Sequence, residues 1–213
     1  LLLLEAGEKG QAMDRPAGII LAGGAATRIG GEKALMSFRS GTLLDAVIAR
    51  VECQVALLAL NIRAEDAPAV LEKHGTYPLV FDSLAEGTGP LGGVIAGLAW
   101  LSTQPGSRWL ATFPCDTPFL PLDLVDQLMA HTHERPVFAH DARRMHGICA
   151  IWPVGCAASL RAGVEQGALR SVQSALKALG GETCQITAGE HAFFNVNTRE
   201  DLAMAERLAP SCR

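Results

Sequence analysis

Hydrophobic positions along the chain fall into short continuous runs, separated by segments in which they recur every three or four residues. The runs at 17–21, 55–60, 78–81 and 109–113 are brief and bounded by turn formers, which predicts buried strands. Between the first two, Leu43, Leu44, Val47, Ile48 and Val51 repeat at helical spacing, so a helix is expected over 42–53. Shorter helical patterns cover 67–74 and 122–130, and the segment 91–101 is rich enough in glycine and alanine for a closely packed helix. This alternation predicts an α/β fold with a mostly parallel central sheet flanked by helices on both faces. After residue 135 the rhythm changes. Residues 136–139 and 147–152 read as antiparallel strands around a turn at 140–143, a small antiparallel element in the C-terminal half. Helices are expected at 156–165 and 171–179, strands at 183–187 and 192–195, and a last helix at 199–208. Thr198 suits its N-cap, and Asp201 gives it an acidic first turn.

Composition narrows the function without naming it. The chain has 213 residues, nearly half of them hydrophobic (49%), so a sizeable core is available. A net charge of −4 with no basic block argues against a nucleic-acid partner. No apolar run approaches the ~20 residues of a membrane span, so no membrane association is expected. The leucines at 1–4 are too few for a signal-peptide core and are followed by Glu5. Residues 1–12 are expected to form a poorly packed extension, with Met13 a plausible start. The six cysteines, at 53, 115, 149, 156, 184 and 212, form no C-x-x-C pair and match no common zinc spacing. They read as reduced, mostly buried thiols of a cytoplasmic protein.

The strongest chemical signal is the stretch 21–33, Leu-Ala-Gly-Gly-Ala-Ala-Thr-Arg-Ile-Gly-Gly-Glu-Lys, directly after the first strand. Gly23, Gly24, Gly30 and Gly31 share one loop with Arg28 and Lys33. Successive bare N–H groups make an anion-binding concavity, and two cations add charge where phosphates would lie. Lys33 is followed by Ala34 rather than Ser or Thr, so this is not a P-loop, and the G-x-G-x-x-G fingerprint is absent. A nucleotide phosphate site of another kind is expected; the bland alternative is a glycine-rich surface turn.

Other polar residues fall at the ends of the predicted strands, where open α/β sheets bind ligands. Asp116, in Pro114-Cys115-Asp116-Thr117-Pro118, follows the fourth strand and could hold Mg2+ against phosphates. Alternatively it caps the next helix. Asp82 follows the third strand and leads into Gly87-Thr88-Gly89-Pro90-Leu91, a shaped loop whose backbone could read a base edge. Asn61 ends the second strand, as a ligand or only a turn residue. In the second half His146, Arg170, Ser171, Asn195 and Asn197 are the polar residues to watch, each equally suited to a turn or cap.

Taken together, residues 21–33, Asp82-Ser83-Leu84, Gly89-Pro90-Leu91, Pro114-Cys115-Asp116-Thr117-Pro118 and Asn195-Val196-Asn197-Thr198 resemble the molybdenum cofactor guanylyltransferase family. The motifs occur in family order over about residues 17–205. The resemblance implies a Rossmann-like nucleotidyltransferase fold that transfers GMP from GTP to the terminal phosphate of molybdopterin, releasing pyrophosphate. It implies Leu21, Ala22, Gly23, Gly24, Asn61, Asp82, Gly89, Pro90 and Leu91 around the guanosine. Arg28 and Lys33 would meet the phosphates, Asp116 would hold Mg2+, and Asn195 and Asn197 would lie towards the pterin. Residues 13–213 would form a single nucleotidyltransferase domain, with an NTP-binding half (17–135) and an acceptor-binding half (136–208). Transient contact with proteins that deliver the cofactor or mature molybdoenzymes would follow. Two departures stand out: Gly30-Gly31 runs straight to Glu32-Lys33, one residue shorter than the family loop, and Gly147 follows His146 where His-Pro-Thr is common. A cytidylyltransferase on the same or another phosphorylated acceptor, and a catalytically silent nucleotide-binding module, are the alternatives.

Overall fold

The computed structural model describes residues 15–23, 33–82 and 88–209. Its centre is a seven-stranded sheet in the order β5-β4-β1-β6-β8-β7-β9. The strands are β1 (Ala17–Leu21), β4 (Leu57–Ile62), β5 (Leu79–Phe81), β6 (Trp109–Pro114), β7 (Val137–His140), β8 (Met145–Pro153) and β9 (Glu182–Gln185). A separate antiparallel hairpin, β2 (Ser37–Phe38) with β3 (Gly41–Thr42), lies outside the sheet. The first four sheet strands in sequence, β1, β4, β5 and β6, run parallel; β8 is antiparallel to both β6 and β7, and β9 is parallel to β7. The expected mostly parallel sheet with an antiparallel element in the C-terminal half is therefore present.

Burial on both sheet faces explains why the strands read as unbroken apolar runs rather than alternating ones. All five residues of β1 are buried. Ile20 packs with α1 (Leu43–Val51), α2 (Ala67–His74) and α4 (Leu124–Met129) on one face. Ile19 and Leu21 pack with α3 (Pro90–Leu101), α5 (Ala157–Glu165) and α6 (Val172–Ala178) on the other. The chain winds outward from β1 to β4 and β5 with its helices on one face. It then crosses back to β6 through α3 on the opposite face, as a constant crossover hand requires when the winding direction reverses.

The last helix, α7 (Arg199–Leu208), carries the expected cap: Asp201 N–H donates to Thr198 Oγ1 (3.0 Å), and Asp201 Oδ2 accepts from Thr198 N–H (2.9 Å). It closes a small cluster in which Ala205 and Leu202 meet Phe38, Leu43 and Val196.

Two expectations need correction, and one element lies outside them. Residues 192–195 are not a strand: Ala192 N–H bonds Gly189 O and Phe194 N–H bonds His191 O, so turns run through 190–193 and the chain continues without regular structure. The β7–β8 turn lies one residue later than expected, closed by Asp141 N–H to Arg144 O (3.1 Å). The two-residue strands of the β2–β3 hairpin are too short to leave a periodic signal, and they were not anticipated. Of the described cysteines, 115, 149, 156 and 184 are buried and Cys53 is exposed. Among the described residues no helix is long and apolar enough to cross a membrane. Residues 1–12, with Gly24, Arg28, Gly30, Gly31, Ser83 and Leu84, lie outside the described residues.

Candidate active site at the carboxyl ends of the strands

Register places the sequence motifs side by side. Leu21 at the end of β1 pairs with Asn61 of β4 on one side and Pro114 of β6 on the other, and Asn61 pairs in turn with Val80 of β5. The ends of four parallel strands are thus level, and Ala22-Gly23, Asp82 and Asp116 follow directly from three of them. Because the winding reverses at β1, this edge is the sheet's topological switch point, where the outgoing loops diverge and leave a crevice.

Asn61 holds the edge together. It is only 2% exposed, and its amide nitrogen donates both to Val80 O (3.1 Å) and to Asp82 Oδ1 (2.7 Å). Its backbone carbonyl accepts from Ala22 N–H (2.8 Å), extending the β1–β4 ladder into the glycine-rich loop. Asn61 is therefore more than a turn residue: it orients the exposed carboxylate of Asp82 and fixes the start of the loop.

Helix α3 presses its N-terminus against these two residues. Gly89 precedes it with φ of +53°, a conformation in which a side chain would be strained, and Pro90 takes the first helical position, where no N–H is needed. A Cβ on Gly93 would run into the Asn61 amide oxygen and come within 2.9 Å of Leu21 Cδ2. A Cβ on Gly92 would lie 2.9 Å from Asp82 Oδ2. The glycines thus let the helix approach closely, and its positive end favours the Asp82 carboxylate. Leu91 is fully buried beneath, while Gly89 and Pro90 are exposed. Lys33 begins a short 3-10 turn, Lys33–Leu35, that re-enters the described chain after the loop.

Asp116 is half-buried, with the Thr117 hydroxyl donating to its Oδ1 (3.2 Å). Helix α4 starts only at Leu124, after Asp123, so Asp116 does not cap it. Burial, with the Asp116 charge adding to it, pushes the neighbouring Cys149 thiol far up, which keeps it protonated and inert. Cys115 is buried as packing.

A backbone contact ties the second half to the same edge: Val196 N–H donates to Asp116 O (2.9 Å). This brings Asn195 and Asn197 against the Asp116 loop. Among the described residues Asn195 Oδ1 is enclosed with no hydrogen-bond partner, and Asn197 N–H donates to Asp201 Oδ2 (2.9 Å). Ser171, by contrast, is spent as the N-cap of α6, accepting from Ser174 N–H (3.1 Å), and the exposed Arg170 precedes that cap.

Two polar arrangements escaped sequence reasoning, the first at the amino ends of the parallel strands and the second beside the candidate site. Gln54 is 6% exposed and joins three elements, donating to Arg50 O (2.6 Å) and Pro121 O (2.9 Å) while accepting from Val125 N–H (2.8 Å). It supports the loop that leads from Asp116 into α4. His146, noted only as a residue to watch, bonds Asp141 Oδ2 through Nε2 (3.0 Å) and stacks on Phe193 with ring centroids 3.9 Å apart. A polar residue in an otherwise apolar pattern was the available signal for both; their partners are too distant in sequence to read.

Comparison with known proteins agrees with this geometry. Residues 18–183 match the family model described as the MobA-like NTP transferase domain. The molybdenum cofactor guanylyltransferase of Mesorhizobium japonicum is 36% identical over 203 residues, covering 92% of this chain and 96% of that protein. The enzyme of the same description from Rhodopseudomonas palustris strain HaA2 is 38% identical over 202 residues, covering 91% and 92%. Among solved structures, molybdopterin-guanine dinucleotide biosynthesis protein A from Archaeoglobus fulgidus superposes with a TM-score of 0.73 at 21% identity, over 90% of this chain and 97% of that one. With a family model spanning most of its length and relatives matched almost end to end, the chain belongs to the molybdenum cofactor guanylyltransferase family of MobA-like nucleotidyltransferases.

Proposed function

We propose that the crevice at the β1–β6 switch point binds GTP, and that the chain transfers its GMP moiety to the terminal phosphate of molybdopterin. The observation that carries this reading is the Val196 N–H bond to Asp116 O, which joins the strand-end nucleotide edge to the segment bearing Asn195 and Asn197. Residues 17–135 would then serve the nucleotide and 136–208 the acceptor. An acceptor phosphate oxygen attacks the α-phosphorus in line; a P–O bond forms there as the bond to the β-phosphate bridge breaks, and pyrophosphate leaves. The acceptor phosphate is already an anion at neutral pH, so no general base is required. Positioning and charge stabilisation are what the chain must supply.

Asp82, held by Asn61 at the N-terminus of α3, is suited to accept hydrogen bonds from the N–H edge of guanine. The backbone from Leu21 through Gly24 and at Gly89, Pro90 and Leu91 would enclose the nucleoside. Arg28 and Lys33 would meet the phosphates. The donor set at Asp116 fits Mg2+: one half-exposed carboxylate, with no cluster of three ligating side chains among the described residues, leaves the remaining positions to phosphate oxygens. When bound, that ion would neutralise charge on the departing pyrophosphate. Asn195 keeps an orphaned acceptor whose burial costs about 1–3 kcal/mol until a donor reaches it, and a donor-rich pterin could relieve that cost. The reading also implies a cytoplasmic protein that meets cofactor-delivering or molybdoenzyme-maturation proteins in passing.

Pyrophosphate release with Mg2+ and molybdopterin, compared between GTP and CTP, tests the proposal. Release with GTP alone is expected; release with CTP alone would overturn the base assignment. Asp116→Ala should then cost two or more decades of turnover, on the order of 3 kcal/mol of electrostatic stabilisation. Wild-type turnover in that variant would remove Asp116 from the chemistry.

A further inference from the structure

The Asp141–His146–Phe193 cluster is built like an oriented histidine, and the nucleotide chemistry above does not use it. Strand β8 runs antiparallel to β6 with Thr112 opposite Ala150, and the Thr112 hydroxyl also donates to Ile148 O (2.5 Å). Continued along the strands, this register carries β8 back towards Asp116, so His146 lies at the edge that holds the candidate site. The turn before it is pinned to the segment that leads into Asn195. Arg144 donates to Phe193 O (3.0 Å), Arg143 pairs with Glu190 (3.0 Å), and the His146 ring lies nearly parallel to Phe193, at 14°.

The cluster also defines which ring nitrogen carries the proton. Asp141 Oδ1 accepts the backbone N–H groups of Arg143 (2.7 Å) and Arg144 (2.8 Å), leaving Oδ2 for His146 Nε2. Although partial burial alone would raise it, these bonds hold the Asp141 carboxyl down at about 2, so it is an acceptor only and Nε2 must donate. Burial pushes His146 below its ordinary value, with Arg144 and His140 adding to the fall and Asp141 opposing it. The ring is therefore neutral at pH 7, with a lone pair on Nδ1. The His146 side chain is only 9% exposed, and Nδ1 has no hydrogen-bond partner among the described residues. A rigid, single-tautomer acceptor at the edge of a site is what a ligand N–H requires.

We propose that His146, held by Asp141 and Phe193, accepts a hydrogen bond at Nδ1 from a ring N–H or amino group of the pterin acceptor and so positions it for attack. This deepens the proposed function and rests on it. The carboxylate partner makes a sharp variant possible. In Asp141→Asn the two backbone N–H groups hold the amide oxygen in the place of Oδ1. The NH2 group then faces Nε2, and the imidazole proton moves to Nδ1. His146→Gln spans the distance to Asp141 but leaves no atom at the place of Nδ1.

Steady-state kinetics on the full chain with Mg2+, GTP and molybdopterin should show KM for the acceptor rising roughly tenfold in both variants, the scale of one neutral hydrogen bond. KM for GTP should stay within about twofold in both, the criterion set for a change confined to the acceptor. His146→Asn, which returns a polar atom near Nδ1, should recover part of the loss. Imidazole 15N shifts should report protonated Nε2 in the wild type and protonated Nδ1 in Asp141→Asn. Equal rises in both KM values, an unchanged acceptor KM, or a wild-type ring protonated on Nδ1 would overturn the assignment. A wild type inert with this acceptor would overturn the proposed function first, and this assignment with it.

Discussion

Substituting Gly93 by alanine tests the close approach on which the nucleotide edge depends. In an ordinary helix interior the change would stabilise by about 1 kcal/mol, because glycine loses more backbone freedom on folding. Here the new methyl group enters the space of the Asn61 amide oxygen and lies 2.9 Å from Leu21 Cδ2. Neither neighbour is a free end: Asn61 is 2% exposed with two donated bonds, and Leu21 is 8% exposed. Overpacking of this kind costs about 1–3 kcal/mol. Displacing Asn61 enough to lose its bond to Asp82 adds about 1 kcal/mol. Against the helix gain, the net is a loss of about 2 kcal/mol, or roughly 4–8 °C in Tm for a chain of this size. Because Asp82 loses the partner that orients it, GTP affinity should also fall by about tenfold or more, the equivalent of ~1.4 kcal/mol. Gly97→Ala is the control. Its methyl group would crowd Leu110 and Ile19 side chains (2.9 and 3.0 Å) but touch nothing of Asn61, so it should lower Tm without changing the GTP Kd. Calorimetry and nucleotide titration on both variants decide the matter. A Gly93→Ala protein with wild-type Tm and wild-type Kd would refute the argument that the helix's approach sets the Asn61–Asp82 pair.

Two further outcomes follow from hydrogen-bonded polar groups. Gln54→Leu strands two backbone carbonyls and the Val125 N–H, and urea unfolding should show a loss of about 2–4 kcal/mol, with slower turnover if the loop after Asp116 shifts. Tyr77 is the chain's one tyrosine, and burial together with its hydrogen bond to Glu52 (2.8 Å) pushes its hydroxyl up to about 12. Its raised value stabilises the fold below pH 10, and that contribution is lost as pH rises through 12. An ultraviolet titration should show little phenolate at pH 10.5, and Glu52→Gln should move the transition down; a transition at 10 in the wild type would contradict the Tyr77–Glu52 hydrogen bond.

The order of strands and helices, the covered sheet, the cap at Thr198 and the strand-end placement of Asp116 were legible in the sequence. Each rests on the identity of residues within a few positions of one another: an apolar run, a helical repeat, a Thr with Asp three residues later. The family was legible for a related reason, since short motifs in a fixed order survive divergence better than the residues between them. What only the tertiary structure decided depends on contacts across the sheet. Asn61 could be read as a ligand or a turn residue, and its partner Asp82, 21 positions away, makes it the brace of the site. Residues 192–195 have a strand's composition, but they run from a turn into irregular chain beside the β7–β8 hairpin, where Arg144 and the His146 ring bind Phe193. Local propensity carries no record of which distant groups will meet, and hydrogen bonds between them form only once the sheet has brought its edges together. The sequence therefore determined where polar residues could serve; their pairing, and which nitrogen of His146 meets Asp141, came from the fold.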